Sequence, residues 1–101
     1  MSIRHIVIWK LVATDEVGKA DAVAEIRRTL ESLVETMPGV IISLKVTPNV
    51  AFFGSNGDAI LESEYANLED LNSYLVHPLH VDAVNHLKPL FASRTAIDIE
   101  I

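Results

Sequence analysis

The sequence predicts an α+β domain in which helices cover one face of a four-stranded antiparallel sheet. Hydrophobic residues alternate with a period of two near both ends of the chain, which is typical of strands. In the second quarter of the chain the apolar positions follow the 3.6-residue period of a helix, and proline and glycine end that segment. The chain has 101 residues and half of them are hydrophobic, so we expect residues 1–101 to form one domain with a single core.

The first strand is predicted from Ile3 to Val12, where β-branched residues are frequent. Alternation places one set of side chains on one face, namely Ile3, His5, Val7, Trp9 and Leu11. The opposite face carries Arg4, Ile6, Ile8 and Lys10. Because both faces are apolar at their centres, we expect helices over one of them and another sheet or subunit over the other.

A helix is expected from Glu16 to Met37, because its apolar residues recur at helical spacing. Asp15 is the expected N-cap, and Pro38-Gly39 ends the helix. The second strand is predicted from Val40 to Thr47 and the third from Ala59 to Tyr65, with a loop rich in turn residues between them.

Two further helices, beginning near Asn67 and at Pro78, precede a last strand from Thr95 to Ile101. This order of elements is that of the split βαβ or ferredoxin-like fold. The uncovered sheet face would take apolar groups from alternate residues of the second strand and from Ile6, Ile8 and Ile60. We therefore predict a homodimer packed sheet against sheet, which makes a dimeric α/β barrel.

Composition argues against several classes of partner. The net charge is −6, with 14 acidic and 8 basic residues and no basic cluster, so we expect neither nucleic-acid nor membrane binding. The chain has no cysteine, which excludes disulfides and thiolate zinc sites and suits a cytoplasmic protein. The apolar run between Arg4 and Lys10 is too short for a signal peptide, and no segment approaches the ~20 apolar residues of a membrane span.

The segment YLVHPLH, residues 74–80, carries the candidate functional groups. Pro78 disfavours helical geometry at His77, so one helix should end by Val76 and the next should begin with Pro78 at its first position. His77 is then an N-cap with a structural role. His80 falls in the first turn, and its stripe, expected to be buried, continues with Val84, Leu87 and Phe91.

Two interpretations of His80 follow from this placement. A helix N-terminus and apolar surroundings both disfavour its charge, so the imidazole is expected to be neutral near pH 7 and able to act as a general base. Alternatively, His80 is a core histidine bonded to a backbone carbonyl, and Tyr74 simply packs in the core. His5 is a polar ring on an apolar strand face and needs a partner. We expect His5 and His80 to approach one cavity from opposite walls.

A metal site at His77 and His80 is disfavoured, because Pro78 breaks the helical geometry between them and His86 lies on the far side of the helix. No glycine-rich phosphate loop or nucleophile elbow is present. We therefore expect neither a metal nor an organic cofactor.

Three segments, IRHIVIWKL, YLVHPLHVDAV and IDIEI, together resemble the stress-responsive dimeric α/β-barrel (Dabb) family. The resemblance spans the whole chain and implies the ferredoxin-like fold and a dimer through the two sheets. At the motif of residues 74–80 the chain is also similar to a plant polyketide cyclase of that family, and that cyclase uses no cofactor. That similarity implies an acid–base role for His80 and pocket roles for His5 and Tyr74. The bulk of Trp9 departs from the cyclase pattern.

Two functions from different classes are consistent with the sequence. The first is a cofactor-independent enzyme of the cyclase, lyase or isomerase type, in which His80 abstracts a proton next to a carbonyl while His5 and Tyr74 orient the substrate or its enolate. The second is a non-catalytic dimeric domain that binds a small apolar ligand or serves a structural role. In either case the pocket walls are expected to include Val7, Trp9, Val84 and Leu87.

Overall fold

The computed structural model describes all 101 residues as one sheet with helices on one side of it. The strands are β1 (Ile3–Leu11), β2 (Ser43–Pro48), β3 (Ala59–Tyr65) and β4 (Phe91–Glu100). The helices are α1 (Glu16–Glu31), α2 (Leu33–Thr36), α3 (Leu68–Val76) and α4 (Pro78–Leu87), and a single 3₁₀ turn spans Lys88–Leu90. The strand order is β2-β3-β1-β4 with every neighbouring pair antiparallel, which confirms the predicted ferredoxin-like fold.

The core lies between the helices and the inner face of the sheet. Every second residue of β1 is buried, as its alternation predicts: Ile3, His5, Val7, Trp9 and Leu11. Ile26 and Leu30 of α1 pack onto this face together with Val46 of β2 and Leu61 of β3. Each such aliphatic side chain contributes roughly 1.5–3 kcal/mol when it leaves water, so this one layer holds the helices on the sheet.

Three of the four helix starts, those of α1, α3 and α4, are capped by side chains at the positions that the sequence predicts. Asp15 accepts a hydrogen bond from the Gly18 N–H at 2.9 Å, and Asn67 accepts one from the Asp70 N–H at 2.8 Å. His77 accepts a bond from the Leu79 N–H through Nδ1 at 3.1 Å, with Pro78 as the first residue of α4. The predicted break between α3 and α4 is confirmed.

The expectation of one continuous helix from Glu16 to Met37 was wrong. The hydroxyl of Ser32 donates to the Thr29 carbonyl at 2.9 Å, where the segment divides into α1 and the short α2. Serine bonds of this kind compete with the regular helical ladder and bend it, although the apolar spacing continues through the break.

Two strand boundaries also differ from the prediction. The second strand begins at Ser43 instead of Val40, because the Val40 N–H closes a turn onto the Met37 carbonyl at 3.2 Å. The last strand begins at Phe91, four residues before Thr95, since backbone pairing with β1 already starts at Leu11. An edge strand can form backbone hydrogen bonds with its neighbour without hydrophobic alternation, so the sequence pattern did not reveal the first residues of β4.

The outer face of the sheet, which we call the open face, carries the predicted Ile6, Ile8 and Ile60 but no apolar side chains from the second strand. Strand β2 contributes Ser43, Lys45 and Thr47 to it, because Leu44 and Val46 point into the core. The apolar groups come from other strands: Ile6 and Ile8 of β1, Ile60 of β3, and Ile97 and Ile99 of β4. The expectation for the second strand was therefore wrong, whereas the predicted isoleucine side of the last strand lies on this face.

Candidate active site

A cavity of about 470 Å³ lies between the inner face of β1 and helix α4. Nine of its fifteen lining residues are hydrophobic, which is typical of small-molecule sites. The cavity brings together all the residues that the sequence proposed for a site: His5, Val7, Trp9, Tyr74, His80, Val84 and Leu87. His77 and His86 do not line it.

His80 is held in the first turn of α4 by a bond to the backbone. Its Nδ1 lies 3.0 Å from the carbonyl oxygen of Leu75, and a carbonyl can only accept, so Nδ1 carries the proton. Burial lowers the pKa of His80; the Leu75 carbonyl opposes that change, and the charges of His5 and Arg94 add to it. A neutral His80 with this tautomer has an unshared electron pair on Nε2, which is the requirement for a general base.

His5 is buried, and the partner that it was expected to need is Asp98 of β4. The Nδ1–H of His5 donates to Asp98 Oδ1 at 2.5 Å, and the two residues face each other across the β1–β4 ladder. The carboxylate fixes the ring orientation and leaves Nε2 as the remaining nitrogen. Asp98 was not predicted as a site residue, because the apolar pattern of its strand is carried by the isoleucines on the other face. Its position between Ile97 and Ile99 places it on the opposite face, the one that His5 shares.

Tyr74 lies directly beside His80, with the two ring centroids 4.3 Å apart. Tyr65 packs on its other side at 5.3 Å and donates its hydroxyl proton to Ser63 Oγ at 3.1 Å. Burial raises the pKa of Tyr74 well above its ordinary value and raises the pKa of Tyr65 to about 12. Both phenols therefore stay protonated and can act as hydrogen-bond donors. Neither Tyr65 nor Ser63 was predicted as a site residue from the sequence.

Trp9 forms a flat wall and leaves the cavity open. Its ring stacks on Phe91 with centroids 4.9 Å apart and planes within 1° of parallel.

The stripe on α4 is only partly buried, since His80 is half-buried and Val84 remains 38% exposed whereas Leu87 is buried. The expectation of a fully buried stripe was thus wrong at its first turns, because this part of α4 faces the cavity and not close-packed core.

The remaining histidines have structural partners. His77 caps α4, and His86 Nε2 lies 2.8 Å from Glu25 Oε2, which links α4 to α1 on the surface. No group of three or more histidine, aspartate or glutamate side chains is placed to hold a metal ion. No helix combines the length and apolar character needed to cross a membrane.

Residues 3–101 match the model of the stress responsive A/B barrel domain family, Dabb. A dimeric protein of unknown function and ferredoxin-like fold from Bacteroides fragilis superimposes with a TM-score of 0.82 and 28% identity, covering 99% of this chain and 96% of that one. A dimeric ferredoxin-like protein of unknown function from Thermobifida fusca gives a TM-score of 0.81 at 21% identity, with 100% and 92% coverage. The hydroxynitrile lyase of Passiflora edulis gives 0.72 at 11% identity, with 99% and 93% coverage. No curated protein matches the chain.

Proposed function

The chain belongs to the stress-responsive A/B barrel (Dabb) family, and on that premise we propose that it is a cofactor-independent acid–base enzyme of the cyclase, lyase or isomerase type. The observation that carries the proposal is the bond from His80 Nδ1 to the Leu75 carbonyl, which leaves Nε2 as a proton acceptor in the wall of an apolar cavity. The substrate is a small carbonyl compound.

In the proposed step, His80 Nε2 removes a proton from the carbon next to the substrate carbonyl. The electron pair of that C–H bond moves into the enolate, whose oxygen accepts a hydrogen bond from the Tyr74 hydroxyl, while His5, with its Nδ1–H bonded to Asp98, orients the substrate through Nε2. The protonated His80 then returns its proton to another carbon or to a leaving group. Two groups support this assignment: the buried Tyr74 keeps its proton because of its raised pKa, and Asp98 orients His5.

Two resemblances support this proposal at different levels. The motif in residues 74–80 resembles that of olivetolic acid cyclase. By position, His80 of this chain corresponds to the acid–base histidine of that enzyme, His5 to a second pocket histidine and Tyr74 to a pocket tyrosine. The Passiflora edulis hydroxynitrile lyase supports the proposal only through its shared fold. Trp9 stands where the cyclase has a smaller aliphatic residue, so we expect a substrate shorter than a long polyketide.

A second candidate function is binding without turnover. The predominantly apolar lining of the cavity favours it, because such a pocket can hold a small ligand without any chemistry at His80. A structural or stress-related role of the dimer belongs to the same alternative.

We also propose that the protein is a homodimer through the open face of the sheet. The related proteins from Bacteroides fragilis and Thermobifida fusca are described as dimeric. Ile97 is 59% exposed and Ile8 is 42% exposed on this face, which a second sheet would bury.

The catalytic proposal is tested by hydrogen exchange at a carbon acid. Phenylacetone is incubated in D₂O with the wild-type protein, and NMR follows the replacement of its α-protons by deuterium. We expect the protein to accelerate exchange above the buffer rate. We expect His80→Gln to lower the protein-catalysed exchange rate ~10²- to 10⁴-fold, which is the usual contribution of a general base.

His86→Gln is the matched control, because it removes an imidazole of the same helix that lies outside the cavity. Its exchange rate should equal that of the wild type. If the wild type does not exceed buffer, or if both variants lose rate equally, catalysis by His80 is disproved. Retained binding of a neutral ligand by an inactive wild type would then support the second function.

A further inference from the structure

The rim of the cavity is positively charged although the protein is acidic. Lys88 and Arg94 are the charged residues in the lining, both are exposed, and no aspartate or glutamate lines the cavity. The whole chain has 14 acidic and 8 basic residues, so chance would favour the opposite sign at this place. A local cation pair next to a hydrophobic cavity attracts anions to it.

Arg94 differs from the other arginines in having no partner. Arg4 pairs with Glu64, Arg27 with Glu31, and Arg28 with Glu25. The Arg94 side chain makes no ion pair and donates no hydrogen bond. Its neighbour four residues along the same face of β4 is Asp98, whose carboxylate already accepts from His5. The guanidinium of Arg94 therefore keeps its full capacity for an external acceptor.

The position of Arg94 links its charge to the apolar wall and to His80. It lies opposite Trp9 in the β1–β4 ladder, next to the stacked rings of Trp9 and Phe91. Its charge also reaches the imidazole, since it is one of the causes that lower the pKa of His80, after burial and the charge of His5. A cation, a flat apolar surface and a proton acceptor thus surround the same space.

We propose that the cavity selects small amphipathic carboxylates, with the carboxylate bound by Arg94 and the apolar body against the Trp9–Phe91 wall. A guanidinium can hold both oxygens of a carboxylate in one plane, which fixes orientation as well as charge. Lys88 adds a second positive charge on the same rim. This inference rests on the proposed function only in naming the substrates as keto acids, whose carbonyl would face His80.

Trp9 provides the readout, because it is the only tryptophan of the chain and part of the cavity wall. Its fluorescence is followed while the full-length protein is titrated with octanoate or with octanamide, which have the same chain but differ in charge. We expect the wild type to bind octanoate at least about tenfold more tightly than octanamide, because a hydrogen bond between charged groups contributes about that much to affinity. Arg94→Gln should lose this preference and keep its affinity for octanamide.

Arg28→Gln is the control, because it removes the same charge from a surface position that does not line the cavity. It should bind octanoate like the wild type. Equal binding of the two ligands by the wild type, no binding of either, or an equal loss of octanoate affinity in both variants would overturn the inference. The titration needs no turnover, so an inactive protein that prefers octanoate disproves the catalytic proposal and leaves the carboxylate site standing.

Discussion

The chemistry of His80 depends on the peptide carbonyl of Leu75 as much as on the imidazole itself. That carbonyl holds the proton on Nδ1 and aims the ring, in the way that a carboxylate often does in enzymes. For His5 the carboxylate of Asp98 has this role. The two histidines of the site are therefore oriented by partners of different charge, and only one of those partners is available from the local sequence.

The lowered pKa of His80 gives a prediction for stability. Because its pKa in the folded protein lies below the unfolded value of about 6.5, the unfolded chain binds more protons as the pH falls. The contribution of the neutral His80 to stability is thus present above pH 6.5 and is lost as the pH falls through the folded pKa.

Urea unfolding at pH 7.5 and pH 5 measures this effect. We expect the wild type to lose more stability between the two values than His80→Gln does, since glutamine does not titrate. Groups that both proteins share, such as Glu25 with its pKa lowered to about 2 by Arg28 and His86, cancel in the comparison. An identical loss of stability in the two proteins would mean that the pKa of His80 is not lowered in the folded protein.

At the scale of elements, the junction between α3 and α4 places the site. Pro78 sets the first turn of α4 and His77 caps it, so His80 is brought beside Tyr74 on the preceding helix. The helix is then positioned by Leu87 and Ala83, which are buried against the core. His77 and Pro78 therefore set the path of the chain, and that path places Tyr74 and His80 in the wall of the cavity.

His77→Ala should destabilise the protein by about 1 kcal/mol, because the bond to the Leu79 N–H is lost. His77→Asn should retain most of the stability, since asparagine is a good N-cap. Urea unfolding gives both values, and octanamide titration should show the same affinity in all three proteins. A variant His77→Ala that is fully stable yet cannot bind octanamide would assign His77 to the cavity and contradict its structural role.

At the scale of the whole molecule, the open face leaves isoleucine side chains in water on β1 and β4. The proposed dimer would cover them, so a charge at the centre of this face should be costly. We expect the wild type to be a dimer by light scattering at micromolar concentration and Ile97→Lys to be a monomer. Val17→Lys is the control, because Val17 is an exposed apolar residue on the helix side. A monomeric wild type would rule out the proposed assembly.

Much of the fold could be predicted because its determinants are local. The burial of alternate β1 residues follows from the period of the strand, and the starts of α1, α3 and α4 follow from Asp15, Asn67 and His77-Pro78. Two of the errors occurred where a single hydrogen bond decides between two backbone paths. Ser32 divides a helix whose apolar spacing continues, and the Val40 N–H closes a turn within a segment that reads as a strand.

Spacing along the chain is enough to place His80 in the first turn of a helix that begins at Pro78, and His5 on a strand face shared with apolar residues. Backbone geometry converts such spacing directly into direction. The groups that meet these histidines depend on the tertiary fold: Asp98, more than ninety positions from His5, becomes its partner through strand pairing, and Arg94 reaches the cavity the same way. Pairing between distant strands depends on the summed packing of the whole sheet, so no short stretch of sequence encodes it.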